Sequence, residues 1–317
     1  MSNKPSIVCA GIDTGKRKLD AAIDGRPDQL QVDNDPDGHR VLSAWLRRQR
    51  VKRVGIEASG GYEQAIVRQL RGDGFEVVVF QPAQVRAYAT FHLQRAKNDK
   101  IDAALIAACT AAAKKIHAPP DPRLAPFAEP LTLIEQLSED IAHLKTRRES
   151  CRDPQNRQFW AQEISRLNKL RSSAVKTLAA AIRQYPDLAN RLDLIASVQG
   201  IGLQTAIIIL VRVPEIGRLT REQVTALVGL APYDDDSGDR LGARHIAGGR
   251  ERVRTGLYRA ALPAAFRWNP QLIALYQRLI AAGKLHKVAL VACARKLLIY
   301  ANTVVERGTP WVPQSAR

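Results

Sequence analysis

Lys97-Asn98-Asp99-Lys100-Ile101-Asp102-Ala103 puts two carboxylates, Asp99 and Asp102, three residues apart at the start of an apolar helical run expected over 101–116. Residues at i and i+3 share one helix face, with Cβ atoms roughly 5–6 Å apart. Two ionised carboxylates that close repel each other unless a cation sits between them. Lys97 and Lys100 supply one such cation, and a metal ion would supply another. Acids at helix starts are also favoured by the helix dipole. The stretch alone leaves both readings open.

The chain upstream adds two more acids. Residues 7–12 form a short apolar run that ends in Asp13, and Thr14-Gly15-Lys16 then turns into a second expected strand over 18–24. A third strand is expected over 30–34. Asp35-Pro36-Asp37-Gly38 is a turn or a helix start, after which Val41, Leu42, Trp45 and Leu46 recur at helical spacing. Residues 53–57 read as a fourth strand ending in Glu57. A helix over 63–71, a β-prone run over 75–80 and a helix opened by Pro82 follow. This order predicts an α/β sheet in which three antiparallel strands lead into parallel ones. Asp13 and Glu57 fall at the carboxyl ends of strands, where open α/β sheets bind ligands. With Asp99 and Asp102 they make four carboxylates in one layout, the constellation for two divalent cations about 3.5–4 Å apart in phosphoryl transfer. Mg2+ suits such oxygen donors. Taken singly, Asp13 reads equally as a turn residue and Glu57 as a solvated strand end.

The net charge of +17 over 317 residues calls for a polyanionic partner, most simply nucleic acid, with an acidic membrane surface as the competing explanation. It is unevenly spread. Residues 1–118 carry 19 Lys/Arg against 13 Asp/Glu, residues 119–239 carry 15 against 16, and residues 240–317 carry 14 against 2, so the footprint is strongest at the C-terminal end. The most apolar run, 206–211, is far short of the roughly 20 residues of a spanning helix, and no membrane partner is expected. Residues 1–6 lack a signal-peptide core. Cys9, Cys109, Cys151 and Cys293 show no zinc or disulfide spacing, so a reducing cytoplasm is the expected compartment.

Five prolines between Pro119 and Pro130 read as a linker. Leu133, Leu137, Ile141 and Leu144 form one helical stripe; Ile164, Leu167, Leu170, Ala174, Leu178 and Ile182 form a second. Arg152-Asp153-Pro154 separates them. Two long helices, folded back or paired between chains, would bury these stripes. Ser197-Val198-Gln199-Gly200-Ile201-Gly202 resembles the second half of a helix-hairpin-helix element, with Gly200 and Gly202 offering backbone N–H groups to phosphates. A plain helix–helix turn is the simpler alternative. The segment Tyr233-Asp234-Asp235-Asp236-Ser237-Gly238-Asp239 is surrounded by Arg240, Arg244, Arg250, Arg252 and Arg254. Guanidinium groups bind phosphate bidentately and stabilise its developing charge. Ser237 is thus either a nucleophile or part of a flexible Asp/Gly turn. Residues 285–300 read as an amphipathic helix, and Trp268 and Trp311 as packing residues.

Gly11-Ile12-Asp13, Ile56-Glu57-Ala58-Ser59-Gly60-Gly61-Tyr62-Glu63 and the Lys97–Ala103 stretch together resemble the three acidic motifs of the DEDD transposases of the insertion sequence 110 family. Asn98 stands where that family more often has threonine. Ala231-Pro232, Ser237-Gly238, Ile246-Ala247-Gly248-Gly249-Arg250 and Leu257-Tyr258-Arg259-Ala260-Ala261 resemble the C-terminal transposase domain of the same family. The resemblance implies an RNase H-like (RuvC-like) N-terminal domain with Asp13, Glu57, Asp99 and Asp102 as a metal-binding tetrad, and Ser237 as a nucleophile forming a phosphoserine link to DNA. It also implies guidance by a structured bridge RNA and assembly of several protomers, a dimer or tetramer.

The expected fold class is α/β plus all-α: an RNase H-like domain over 1–118, a linker and coiled-coil-like helical hairpin over 119–194, and a small, mostly helical transposase domain over 195–317. The expected activity is cutting and rejoining of insertion-sequence DNA. A metal-dependent RuvC-like nuclease or junction resolvase using water, and a non-catalytic nucleic-acid scaffold, are the alternatives.

Overall fold

Asp13 reaches the sheet on a hairpin. Strands β1 (Cys9–Thr14) and β2 (Lys18–Ile23) pair antiparallel around a turn closed by the Gly15 N–H donating to the Lys18 carbonyl at 2.9 Å. The computed structural model describes residues 7–93, 99–113, 121–233 and 245–312, without the side chains of 99–101. Two compact units, Met1–Pro119 and Pro120–Arg317, make up the chain.

In the first unit β3 (Gln29–Asp33) follows as an edge strand with alternating exposure. Helix α1 (Pro36–Arg48) then starts where Asp35 accepts the Gly38 N–H at 2.7 Å and Pro36 occupies the first turn. Next come β4 (Arg53–Glu57), α2 (Gln64–Gly72), β5 (Glu76–Phe80), α3 (Pro82–Phe91) and α4 (Asp99–Ala112). The sheet order is β3-β2-β1-β4-β5, antiparallel across β3-β2-β1 and parallel across β1-β4-β5. This is the expected RNase H-like arrangement. Side chains alternate across it. Ala10, Ile12, Val54 and Ile56 face one core with Leu42, Trp45 and Leu46 of α1 and Ile66, Val67 and Leu70 of α2. Each fully buried Ile or Leu there contributes about 1.5–3 kcal/mol before the entropy of ordering is subtracted.

The opposite face carries Gly11, Asp13, Gly55 and Glu57. Helix α4 lies directly on it. A Cβ at Gly11 would sit 2.2 Å from the Ala107 nitrogen and 2.3 Å from the Ala103 oxygen, and one at Gly55 would sit 1.8 Å from Thr110 Oγ1. Only glycine permits such an approach. Phe80, Val85, Leu105, Ile106 and Cys109 seal the far side of this face.

The second unit begins with a short 3-10 turn, Pro122–Phe127, and an antiparallel pair, α5 (Ala128–Ser150) and α6 (Pro154–Ile182). Asp153 caps α6 by accepting the Gln155 and Asn156 N–H groups. The expected stripes are shifted. Leu131, Ile134, Leu137 and Ile141 are buried on α5, whereas Leu133 is 51% exposed; on α6 Leu170 is 48% exposed and Val175 is buried instead. The stripe follows two neighbours at once, because α5 packs against both α6 and the later helix Leu203–Arg212. The remaining elements are α7 (Pro186–Ser197), α8 (Leu203–Arg212), α9 (Arg221–Val228), a two-residue ribbon β6 (Pro232–Tyr233) and β7 (His245–Ile246), α10 (Glu251–Pro263), α11 (Pro270–Ala281) and α12 (His286–Arg307). A single core runs from Leu124 and Ile134 through Leu178 and Ile209 to Leu257 and Leu298, so the base of the hairpin and the C-terminal helices fold on one another. Among the described residues α12, most of which the sequence reads as an amphipathic helix over 285–300, is the one helix long and apolar enough to cross a membrane; half of its most apolar stretch is buried in the fold. The ribbon was not anticipated either, being too short to show alternation.

Candidate active site

Asp13 and Glu57 each follow the last paired residues of adjacent parallel strands, Ile12 and Ile56. They point to the same face, since each lies two residues beyond a glycine covered by α4. Strand spacing puts their backbones about 4.8 Å apart. Both are half-buried. Asp99 opens α4, and Asp102 immediately precedes Ala103, whose carbonyl oxygen lies over Gly11. The start of α4 thus stands on the sheet face that bears Asp13 and Glu57. Among the described residues no group of three or more His, Cys, Asp or Glu side chains is placed to hold a metal ion. The side chains that Asp13, Glu57 and Asp102 offer on this face are carboxylates, the donor type that suits a hard cation such as Mg2+ rather than softer metals.

The loops behind these acids are fastened by residues not singled out from the sequence. The Glu63 carboxylate accepts the Ser59 N–H at 3.0 Å and the Gly61 N–H at 2.9 Å, so the second acid of the Glu57–Glu63 motif folds the loop that follows the first. Asn34 donates to the Gly15 carbonyl at 2.9 Å and to the Tyr62 carbonyl at 3.2 Å, tying the turn beyond Asp13 to the loop beyond Glu57. Buried His39 holds Asn34 through a 2.7 Å contact from Nε2 to Oδ1, and burial pushes the imidazole below its usual range. Asp20 lies opposite Asp13 in register and is buried. Gln31 donates to one of its oxygens at 2.6 Å and Lys18 lies 3.4 Å from the other, which marks it as a fixed neighbour of the site. An aspartate inside the apolar run Leu19-Asp20-Ala21 was the available signal.

In the second unit the expected residues separate into groups. Ser237, Arg240 and Arg244 lie outside the described residues. Arg250 makes a two-pronged contact with Glu215, both bonds 2.7 Å, and donates to the Arg212 carbonyl. Arg252 pairs with Glu135 at 2.8 Å, as Arg212 does at 2.9 Å. Arg254 donates to the Gly248 carbonyl. Arg250 and Arg254 brace the corner where Gly229 and Gly249 bring two chain segments into backbone contact, whereas Arg252 ties α10 to α5; a Cβ on either glycine would lie about 2 Å from backbone atoms of the other segment.

Gly200 and Gly202 form the turn between α7 and α8. Gly200 has φ +109° and packs where a Cβ would meet Ala264 Cβ at 2.5 Å, so its role includes packing. Gly202 is open, and it caps α8 without a side-chain bond. Both line a cleft of about 500 Å³ with Arg171, Arg259 and Trp268. Trp311 packs on Tyr300 as expected, but Trp268 is 54% exposed, because the π-helical turn Ala264–Trp268 swings it off the core.

Residues 10–153 match a family model for DEDD transposases described as Transposase, and residues 192–277 match one described as Transposase IS116/IS110/IS902 family. Two pilin gene-inverting proteins, from Moraxella bovis and Moraxella lacunata, are each 24% identical, the alignment covering 95% of this chain and 96% of theirs. The Thermus thermophilus RuvC structure aligns with 36% of this chain and 84% of its own at 23% identity, with a TM-score of 0.24. The acidic layout of the first unit and the glycine–arginine corner of the second each fall within one of two matched models that together span most of the sequence, and the chain therefore belongs to the IS116/IS110/IS902 family of transposases, enzymes that recombine DNA.

Proposed function

We propose that this chain moves an insertion sequence by cutting DNA with Ser237 and rejoining it through a phosphoserine intermediate. The observation that carries the reading is the placing of Asp13 and Glu57 on one sheet face, beneath the start of the helix that bears Asp99 and Asp102. Those four carboxylates would hold two Mg2+ ions, which when bound supply charge stabilisation at the phosphate. Ser237 Oγ forms a bond to phosphorus as the bond to the leaving deoxyribose oxygen breaks; the serine proton is lost and the leaving oxygen is protonated. One phosphate ester replaces another, so rejoining needs no ATP. A structured RNA encoded beside the gene selects the DNA, and several protomers act together; the charge of +17 supports contact with both polyanions.

The test is denaturing gel analysis of the protein with Mg2+, flanking RNA and labelled element-end DNA. Label should remain on the wild-type protein, disappear in Ser237→Ala and fall in Asp102→Ala. Free cleaved DNA that persists in Ser237→Ala would replace this reading with a nuclease that uses water.

A further inference from the structure

Leu230, Pro232 and the ribbon residues His245 and Ile246 form one wall of a cleft of about 280 Å³, and Lys287, Val288, Val291, Ala292 and Arg295 of α12 form the other. Lys287, Val291 and Arg295 recur every four residues, so they share one helix face. The cleft contains two permanent cations, one histidine and no carboxylate among the described residues. That composition differs from the surroundings of Arg250, Arg252 and Arg254, where each guanidinium already has a protein acceptor. Arg295 Nε is buried and has no hydrogen-bond partner, a condition it shares with one other buried side-chain atom among the described residues, Thr14 Oγ1. An unanswered buried guanidinium nitrogen is costly, and a water, an ion or a bound anion that answers it would remove that cost.

Chain connectivity says which ligand. Pro232 and His245 line this cleft and Tyr233 pairs with His245 across the ribbon, and in the sequence Ser237 falls between Tyr233 and His245. Residues 240–317 also hold the densest positive charge of the sequence. We infer that Arg295, with Lys287 at the mouth, binds a backbone phosphate of the DNA strand presented to Ser237, while Val288, Val291 and Ile246 receive the apolar face of its sugar. Arg295 is the anchoring group because its planar fork satisfies a phosphate bidentately; Lys287 adds point charge. This assignment rests on the recombinase reading proposed above.

The experiment measures equilibrium binding of full-length protein, with its flanking RNA, to fluorescein-labelled element-end duplex DNA across a salt series. Wild type, Arg295→Gln, Arg295→Lys and Lys287→Gln are compared, each checked for an unchanged unfolding transition. Arg295→Gln should weaken binding roughly tenfold or more. It should also lower the slope of log K against log salt by about one contact, with Arg295→Lys recovering the slope and only part of the affinity. Covalent adduct should fall in step with binding. Unchanged affinity and slope in both Arg295→Gln and Lys287→Gln would overturn the assignment. Failure of the serine reading looks different: wild type then gives no adduct, whether or not Arg295→Gln loses its phosphate contact. If Arg295→Gln will not fold, Lys287→Gln and Arg295→Lys carry the test through the salt slope and affinity.

Discussion

Gly11→Ala adds one methyl group where α4 lies on the sheet, and it should be among the most damaging single-carbon changes in the first unit. The new Cβ would sit 2.2 Å from Ala107 N, 2.3 Å from Ala103 O and 2.7 Å from Ile106 C, whereas ordinary contact begins at 3.4 Å. All three atoms are helix backbone, so no side chain can rotate aside. The helix must lift by more than an ångström. Overpacking of this kind costs about 1–3 kcal/mol. For a unit a little above 100 residues each kcal/mol lowers Tm by roughly 4 °C, so a fall of about 4–12 °C is expected by calorimetry. Asp102 moves with the helix while Asp13 stays on β1, and a misplacement of about 1 Å can cost on the order of 100-fold in activity. Recombination on element-end DNA, measured well below the new Tm, should therefore drop by about two orders of magnitude. A variant with wild-type Tm and activity would show that α4 does not rest on Gly11, and the placing of Asp102 near Asp13 and Glu57 would fall with it.

Glu135→Ala should destabilise the second unit by about 1–3 kcal/mol in denaturant titrations, because the nearly buried carboxylate answers both the partly buried Arg212 and Arg252; Arg252→Ala, at an exposed guanidinium, should cost under about 1 kcal/mol. His39, whose ordinary value is near 6.5, is held lower in the fold by burial. The unfolded chain therefore binds the proton first, so the His39 contribution is complete above pH 6.5 and is lost as pH falls through the lower folded value. Unfolding of the first unit at pH 7.5 and pH 5 should show this loss, and His39→Gln should flatten it; an equal pH dependence in the variant would remove His39 as the cause.

The acidic motifs and strand order were legible because both are local. Asp13 and Glu57 end apolar runs, Asp99 and Asp102 open one, and turn residues mark each boundary. Sequence could not show that Gly11 and Gly55 are there to admit α4, that Asn34 ties two loops together, or that Glu63 serves the loop rather than the acid cluster, since each depends on partners far along the chain. The same holds for the arginines. Five near Ser237 looked alike as charge, and only packing distinguishes Arg250, turned toward Glu215, and Arg252, turned toward Glu135.

Composition, period and residue spacing determine which elements form and where acids fall on them, because these are properties of consecutive residues. Tertiary structure alone decides which groups are answered within the protein. Burial removes water as a partner, so Arg250 must find Glu215, while Arg295, on a helix that reads as ordinary amphipathic sequence, is left with a buried nitrogen that no protein acceptor answers.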